Sequence, residues 1–75
     1  PPDMMMEKQE NDMWLQRKLL ELPSTQYQVL HLRQVEKKSM EEIAGIIGIT
    51  PASAATILSR ARQRMLTEIR RRMGS

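Results

Sequence analysis

The chain lacks cysteine, so it can hold neither a disulfide framework nor a thiolate metal site. That fits a reducing cytoplasm, where the protein is expected. Aromatic residues are limited to Trp14 and Tyr27, and β-branched residues never alternate over a useful length, so strands are not expected. The longest apolar run, Ile43 to Ile49, is broken by Gly45 and Gly48 and is far too short to span a bilayer. No basic flank precedes an apolar core, so no signal peptide is read and no membrane partner is expected. His31 is the only histidine and has no cysteine or carboxylate cluster beside it, which argues against a metal site. Glu41 and Glu42 resemble a catalytic pair only superficially. No nucleophile–base pair or phosphate loop is present, so neither catalysis nor a cofactor is expected. The length of 75 residues fits one domain with a modest core. The chain opens Pro1-Pro2 without an initiator methionine and is expected to be a piece of a longer protein.

What the sequence does carry is an uneven distribution of charge. The net charge is only +3. Through Lys38 the basic and acidic side chains cancel, six against six. The last nineteen residues hold Arg60, Arg62, Arg64, Arg70, Arg71 and Arg72 against Glu68 alone. Arginine is the side chain best shaped to fork onto a phosphate or a guanine edge. A solvated helix face is the plainer account of such a run.

Hydrophobic spacing predicts an all-α, four-helix domain, with helices near 7–21, 24–36, 39–47 and 51–72. Residues 1–6 read as a flexible linker end, and 7–73 as the domain. In the first helix Met13, Trp14, Arg17, Leu20 and Glu21 share a line, and Leu15, Leu19 and Leu22 form a second. Pro23 ends it. Ser24 is the expected N-cap of the second helix, with Tyr27, Val29, Leu30, Leu32 and Val35 on its buried side. Ser39-Met40-Glu41-Glu42 is a capping box opening the third. Gly48 follows that helix where a left-handed backbone is usual. Thr50 and Pro51 cap and open the fourth, whose buried line is Ala54, Leu58, Ala61, Met65 and Ile69.

A short helix, a tight Gly-Ile-Thr turn and a longer second helix make a helix-turn-helix, here C-terminal and without a β-wing. In that motif the start of the second helix reaches base edges while the first lies across the backbone. Ser53, Thr56, Ser59, Arg60 and Gln63 fall on the face opposite the buried line. Lys38 and Ser39 sit where phosphate contacts are expected. Candidate DNA-binding residues are Lys38, Ser39, Thr50, Ser53, Ala55, Thr56, Ser59, Arg60, Arg62 and Arg64.

These residues resemble region 4 of bacterial RNA polymerase sigma factors, especially the extracytoplasmic-function type. The likeness starts with Glu21-Leu22-Pro23, Gln26, Val29, Leu32-Arg33 and Val35-Glu36. It continues through Ser39-Met40-Glu41-Glu42-Ile43-Ala44 and Ile47-Gly48-Ile49-Thr50, and ends at Ser59-Arg60-Ala61-Arg62-Gln63-Arg64. The resemblance implies a domain that binds the upstream minus-35 promoter element and docks on the β flap of the RNA polymerase core, directing transcription initiation. It implies the C-terminal half of a two-domain sigma factor, with an anti-sigma factor as a further possible partner. Residues 1–12 would then end the linker from the promoter-melting domain.

The sequence departs from that pattern in places. Ala55 stands where the family usually has a basic residue, and Ile57 where it has arginine. Ala52 replaces a common glycine, and Lys37 stands where a glycine often closes the second helix. Each charged hydrogen bond so lost forfeits about 1–3 kcal/mol, which predicts weak DNA affinity for the isolated domain. Methyl groups of Ala55 and Thr56 could instead meet thymine methyls. Two alternatives stay open: the effector domain of a response-regulator-type activator, and a protein-interaction module with weak DNA binding, motivated by Ala52, Ala55 and Ile57.

Overall fold

The computed structural model describes the backbone of residues 2–74 and the side chains of residues 10–74. Four helices follow one another: α1 (Pro2–Leu20), α2 (Ser24–Gln34), α3 (Met40–Ile47) and α4 (Pro51–Gly74). Among the described residues there is no strand. The molecule is elongated, 45 × 23 × 16 Å, because α4 alone has 24 residues.

The core is where α2, α3 and α4 meet. Val29 and Ile43 are fully shielded from solvent, and Leu22, Leu30, Ala44, Ala54, Leu58, Ala61 and Met65 complete the buried set. Three of these nine are alanines, which lets helix backbones approach closely where they cross. The expected line along α4 is therefore its inner face, with Ile69 half-buried at the far end.

Several boundaries differ from the sequence reading. The stretch expected as a loose linker is helical from Pro2 onward. Proline suits a first helical turn, and the methionine, glutamate, lysine and glutamine after it are strong helix formers. Of the two apolar lines on α1, the core takes Leu15 and Leu19 and, just beyond the helix, Leu22, while Met13 and Leu20 stay 64% and 70% exposed. Ser24 is not a cap but the first residue of α2. Pro23 holds the N-cap position at φ −52°, ψ 145°, and its carbonyl accepts the Tyr27 N–H at 2.9 Å. The proline's fixed φ thus starts the turn one residue early.

α2 also ends sooner, at Gln34. Val35 is the C-cap and is 64% exposed instead of buried. The Val35 and Glu36 N–H groups both turn back to the His31 carbonyl, and the Lys38 N–H reaches Leu32 O at 3.0 Å. This reversal requires a left-handed residue, and Lys37 supplies it at φ +57°. A residue with a Cβ is disfavoured there by about 1–2 kcal/mol.

α1 is the lightly held element. None of its described side chains is buried. Besides the half-buried Leu15 and Leu19, polar contacts fasten it to the end of α4. Arg72 Nη2 donates to Asn11 Oδ1 at 3.1 Å, and the Arg72 guanidinium stacks 4.5 Å from the centre of the Trp14 ring. Lys18 lies 3.6 Å from Glu68. The α2–α3 turn yields the first prediction. Lys37→Gly relieves the left-handed strain and should raise stability by about 0.5–1 kcal/mol net of glycine's entropy cost, seen as a higher midpoint in urea.

Candidate nucleic-acid interface

The scaffold of the interface begins with the cap of α3. Ser39 is in extended geometry, φ −74°, ψ 165°. Its hydroxyl accepts the Glu42 N–H at 3.2 Å, and its own N–H donates to Glu42 Oε1 at 3.3 Å. The reciprocal pair satisfies two donors that a helix start otherwise leaves open. It also holds the Glu42 carboxyl below its ordinary range, chiefly through the Ser39 N–H, then the Ser39 hydroxyl, with Lys38 adding a smaller charge effect against desolvation.

α3 lasts eight residues, with Ile43 and Ala44 buried. Gly48 then turns left-handed at φ +87°, and the Gly48 and Ile49 N–H groups both return to Ala44 O, at 2.8 and 3.0 Å. A side chain at Gly48 would meet no atom within 4 Å, so the glycine is required by the backbone angle and not by crowding. Thr50 opens α4: its hydroxyl accepts the Ser53 N–H at 3.1 Å and donates to Ser53 Oγ at 2.9 Å. Pro51 follows in the first turn, where its missing N–H costs nothing. The chain bends by 98° between α3 and α4. That lies within the range of helix-turn-helix pairs.

Apart from Thr50 at the start of α4, the candidate residues fall into three groups. Successive helical residues turn by about 100°, so the buried line of α4 leaves an outward ridge of Ala52, Thr56 and Gln63, bordered by Ser53, Ser59 and Arg60. All six are exposed. Arg62 and Arg64, two residues apart, lie about 200° apart and flank opposite sides of the helix. Ala55 is exposed on the flank of Arg62. Lys38 and Ser39 are half-buried in the α2–α3 turn.

Three hydroxyls in the candidate set already serve the fold. Ser39 and Thr50 are caps, and Thr56 Oγ1 donates to Ala52 O at 3.1 Å. Ser53 Oγ receives the Thr50 hydroxyl. Ser59 and Arg60 carry no such obligation among the described residues. Nor do Arg62 and Arg64, which form no ion pair or hydrogen bond there. Ile57, grouped by sequence with the exposed apolar residues, is half-buried and packs against the core. Ala52 and Ala55 remain on the surface.

The sequence reading left out two cations. Arg33 and Lys37 line an open recess with Gln34 and Arg62. Only the packing of α2 on α4 brings Arg33 and Lys37 beside Arg62. No group of three or more histidine, cysteine, aspartate or glutamate side chains is arranged to hold a metal among the described residues. No single helix there is long and apolar enough to cross a membrane.

A capped short helix, a glycine reversal and a long helix crossing at 98°, which carries Arg60, Arg62 and Arg64 exposed and without acidic partners among the described residues, define a helix-turn-helix nucleic-acid-binding domain. Residues 12–65 match the family Sigma-70, region 4, and the chain belongs to it. No curated protein and no solved structure matches the chain. It is therefore a sigma-factor DNA-binding domain, from a family that acts with RNA polymerase and is not a family of enzymes.

The capping box gives a pH prediction. Because the Glu42 carboxyl is depressed in the folded chain, its contribution is complete above the ordinary glutamate range. It is lost as pH falls through the depressed value. Glu42→Gln should flatten that part of the acid stability profile, followed by helicity in urea. Ser39→Ala should cost about 1 kcal/mol at neutral pH.

Proposed function

We propose that this domain is the promoter-recognition half of a two-domain sigma factor of the extracytoplasmic-function type. In this reading α4 enters the major groove of the upstream minus-35 element, and the domain docks on the β flap of the RNA polymerase core. Its task is to direct transcription initiation in the cytoplasm. An anti-sigma factor is the natural means of holding such a protein inactive.

One observation carries the reading: the face of α4 opposite its buried line is exposed, with Ser59 and Arg60 uncommitted and arginines on both flanks. Phosphate contacts position a protein on DNA and base contacts specify the sequence. Arg62 on one flank of α4 and Arg64 on the other, with Lys38 and Ser39 in the α2–α3 turn, suit the first task. Ser53, Thr56, Ser59 and Arg60 suit the second, with the methyl groups of Ala55 and Thr56 available to thymine. Thr50 starts the helix and leaves its N-terminal dipole open to phosphate. No long charged side chain occupies Pro51 to Leu58. Affinity of the isolated domain is accordingly modest, and the polymerase contact supplies part of the binding. The position of Ile57 against the core weakens the rival reading as a protein-interaction module.

The test is titration of a duplex selected from a randomised pool. Binding should fall steeply as salt rises. Arg60→Ala should cost about 1–3 kcal/mol and relax preference at one base position. Salt-independent binding, with Arg60→Ala equal to the parent, would sink the reading.

A further inference from the structure

Lys37 is costly where it stands. It occupies a left-handed position, φ +57°, in a turn where glycine would be unstrained. Strain of this kind persists where surrounding structure or function requires the residue. The Lys37 side chain makes no hydrogen bond or ion pair among the described residues. Local stability therefore does not account for it.

Its surroundings offer a reason. Lys37 lines an open recess with Arg33, Gln34 and Arg62. Arg33 is anchored there, its Nη1 donating to the Lys38 carbonyl at 2.9 Å. Arg62 arrives from the flank of α4 and has no partner among the described residues. No carboxylate lines the recess. Glu36, next in sequence, turns to His31 at 3.7 Å instead. Three cations thus converge with no opposing charge, an arrangement that repels itself until an anion enters. Gln34 adds an amide donor. Two guanidinium groups and an ammonium suit a phosphate better than a carboxylate, since phosphate offers more acceptor oxygens.

We infer that the recess formed by Arg33, Lys37 and Arg62 is a phosphate-binding site. It rests on the DNA-binding reading above in taking a duplex backbone phosphate as its ligand. The phosphate lies beside the α2–α3 turn, outside the bases faced by α4. Lys37 is kept in its strained position because this contact needs an ammonium there. The same chemistry would accept free inorganic phosphate, and the experiment separates the two sources.

The test pairs stability with binding. Lys37→Gly and Arg62→Ala are compared with the parent by urea unfolding and by titration of one selected duplex over a salt series. Lys37→Gly should unfold later yet bind roughly threefold or more weakly at moderate salt, and each variant should reduce the salt slope by about one. A variant that is more stable and binds less cannot owe its loss to misfolding. Shortening the duplex on the side nearest α2 should then weaken the parent and leave a variant carrying both Lys37→Gly and Arg62→Ala unaffected. Chemical-shift changes at Lys37 and Arg62 with millimolar inorganic phosphate, without any response to duplex length, would overturn the DNA source. If the parent binds duplex with a steep salt slope and both variants match it, the recess has no such role while the DNA-binding reading stands. If the parent binds no duplex, that reading fails and the duplex-phosphate site fails with it.

Discussion

Ala54, Leu58, Ala61 and Met65 are buried along one line of α4, in a core shared with Val29, Leu30, Ile43 and Ala44. The rest of the molecule depends on that burial. Once one stripe of a helix is committed to the core, the opposite stripe is fixed in identity as well as direction. Ala52, Thr56 and Gln63 must point away, and arginines two residues apart must part to opposite flanks. The small alanines keep α4 close against its neighbours, so the outer face is carried on a rigid support. The geometry of recognition is therefore set from inside, by residues that never meet a ligand.

The turns on either side of α3 solve the same problem differently. Both reverse the chain through a left-handed residue. At Gly48 the residue suits the angle and brings no side chain. At Lys37 the angle is disfavoured, but a charge is delivered to the surface. One turn follows the conformational preference of its residue, and the other departs from it. The capping hydroxyls of Ser39 and Thr50 tie both helix starts by local bonds, so the register of the motif does not rest on distant contacts alone.

The legible parts of this fold were those governed by local rules. The capping box, the glycine reversal, Pro51 in a first turn and the three- to four-residue spacing of α4 each depend on neighbours in sequence. The structure agrees at each of them. Two local signals were nonetheless outweighed by their neighbours, the Ser24 cap by Pro23 and the expected linker by the helix formers after Pro2. Other differences were settled by packing or by an early helix end. α1 carries two apolar lines, and only packing against the shared core selects Leu15 and Leu19. Val35 kept helical spacing but fell outside a helix that closed early. Ile57 looked exposed because its place in the family pattern is polar, yet it leans on the core. The recess of Arg33, Lys37 and Arg62 was illegible for the same reason, since Arg62 is far in sequence from the other two and joins them only because α2 packs on α4.

The fastening of α1 has an optical consequence. Trp14 is the only indole in the chain, and it lies under the Arg72 guanidinium with Lys18 5.9 Å from its ring centre. Its emission therefore reports the junction of α1 with the tail of α4 and little else. Departure of α1 would change the colour and intensity of that signal while the α2–α4 core stayed folded. The outward start of α4 carries no aromatic ring to contribute a competing signal. The molecule thus contains a built-in gauge of one joint, separate from the surface that faces a duplex.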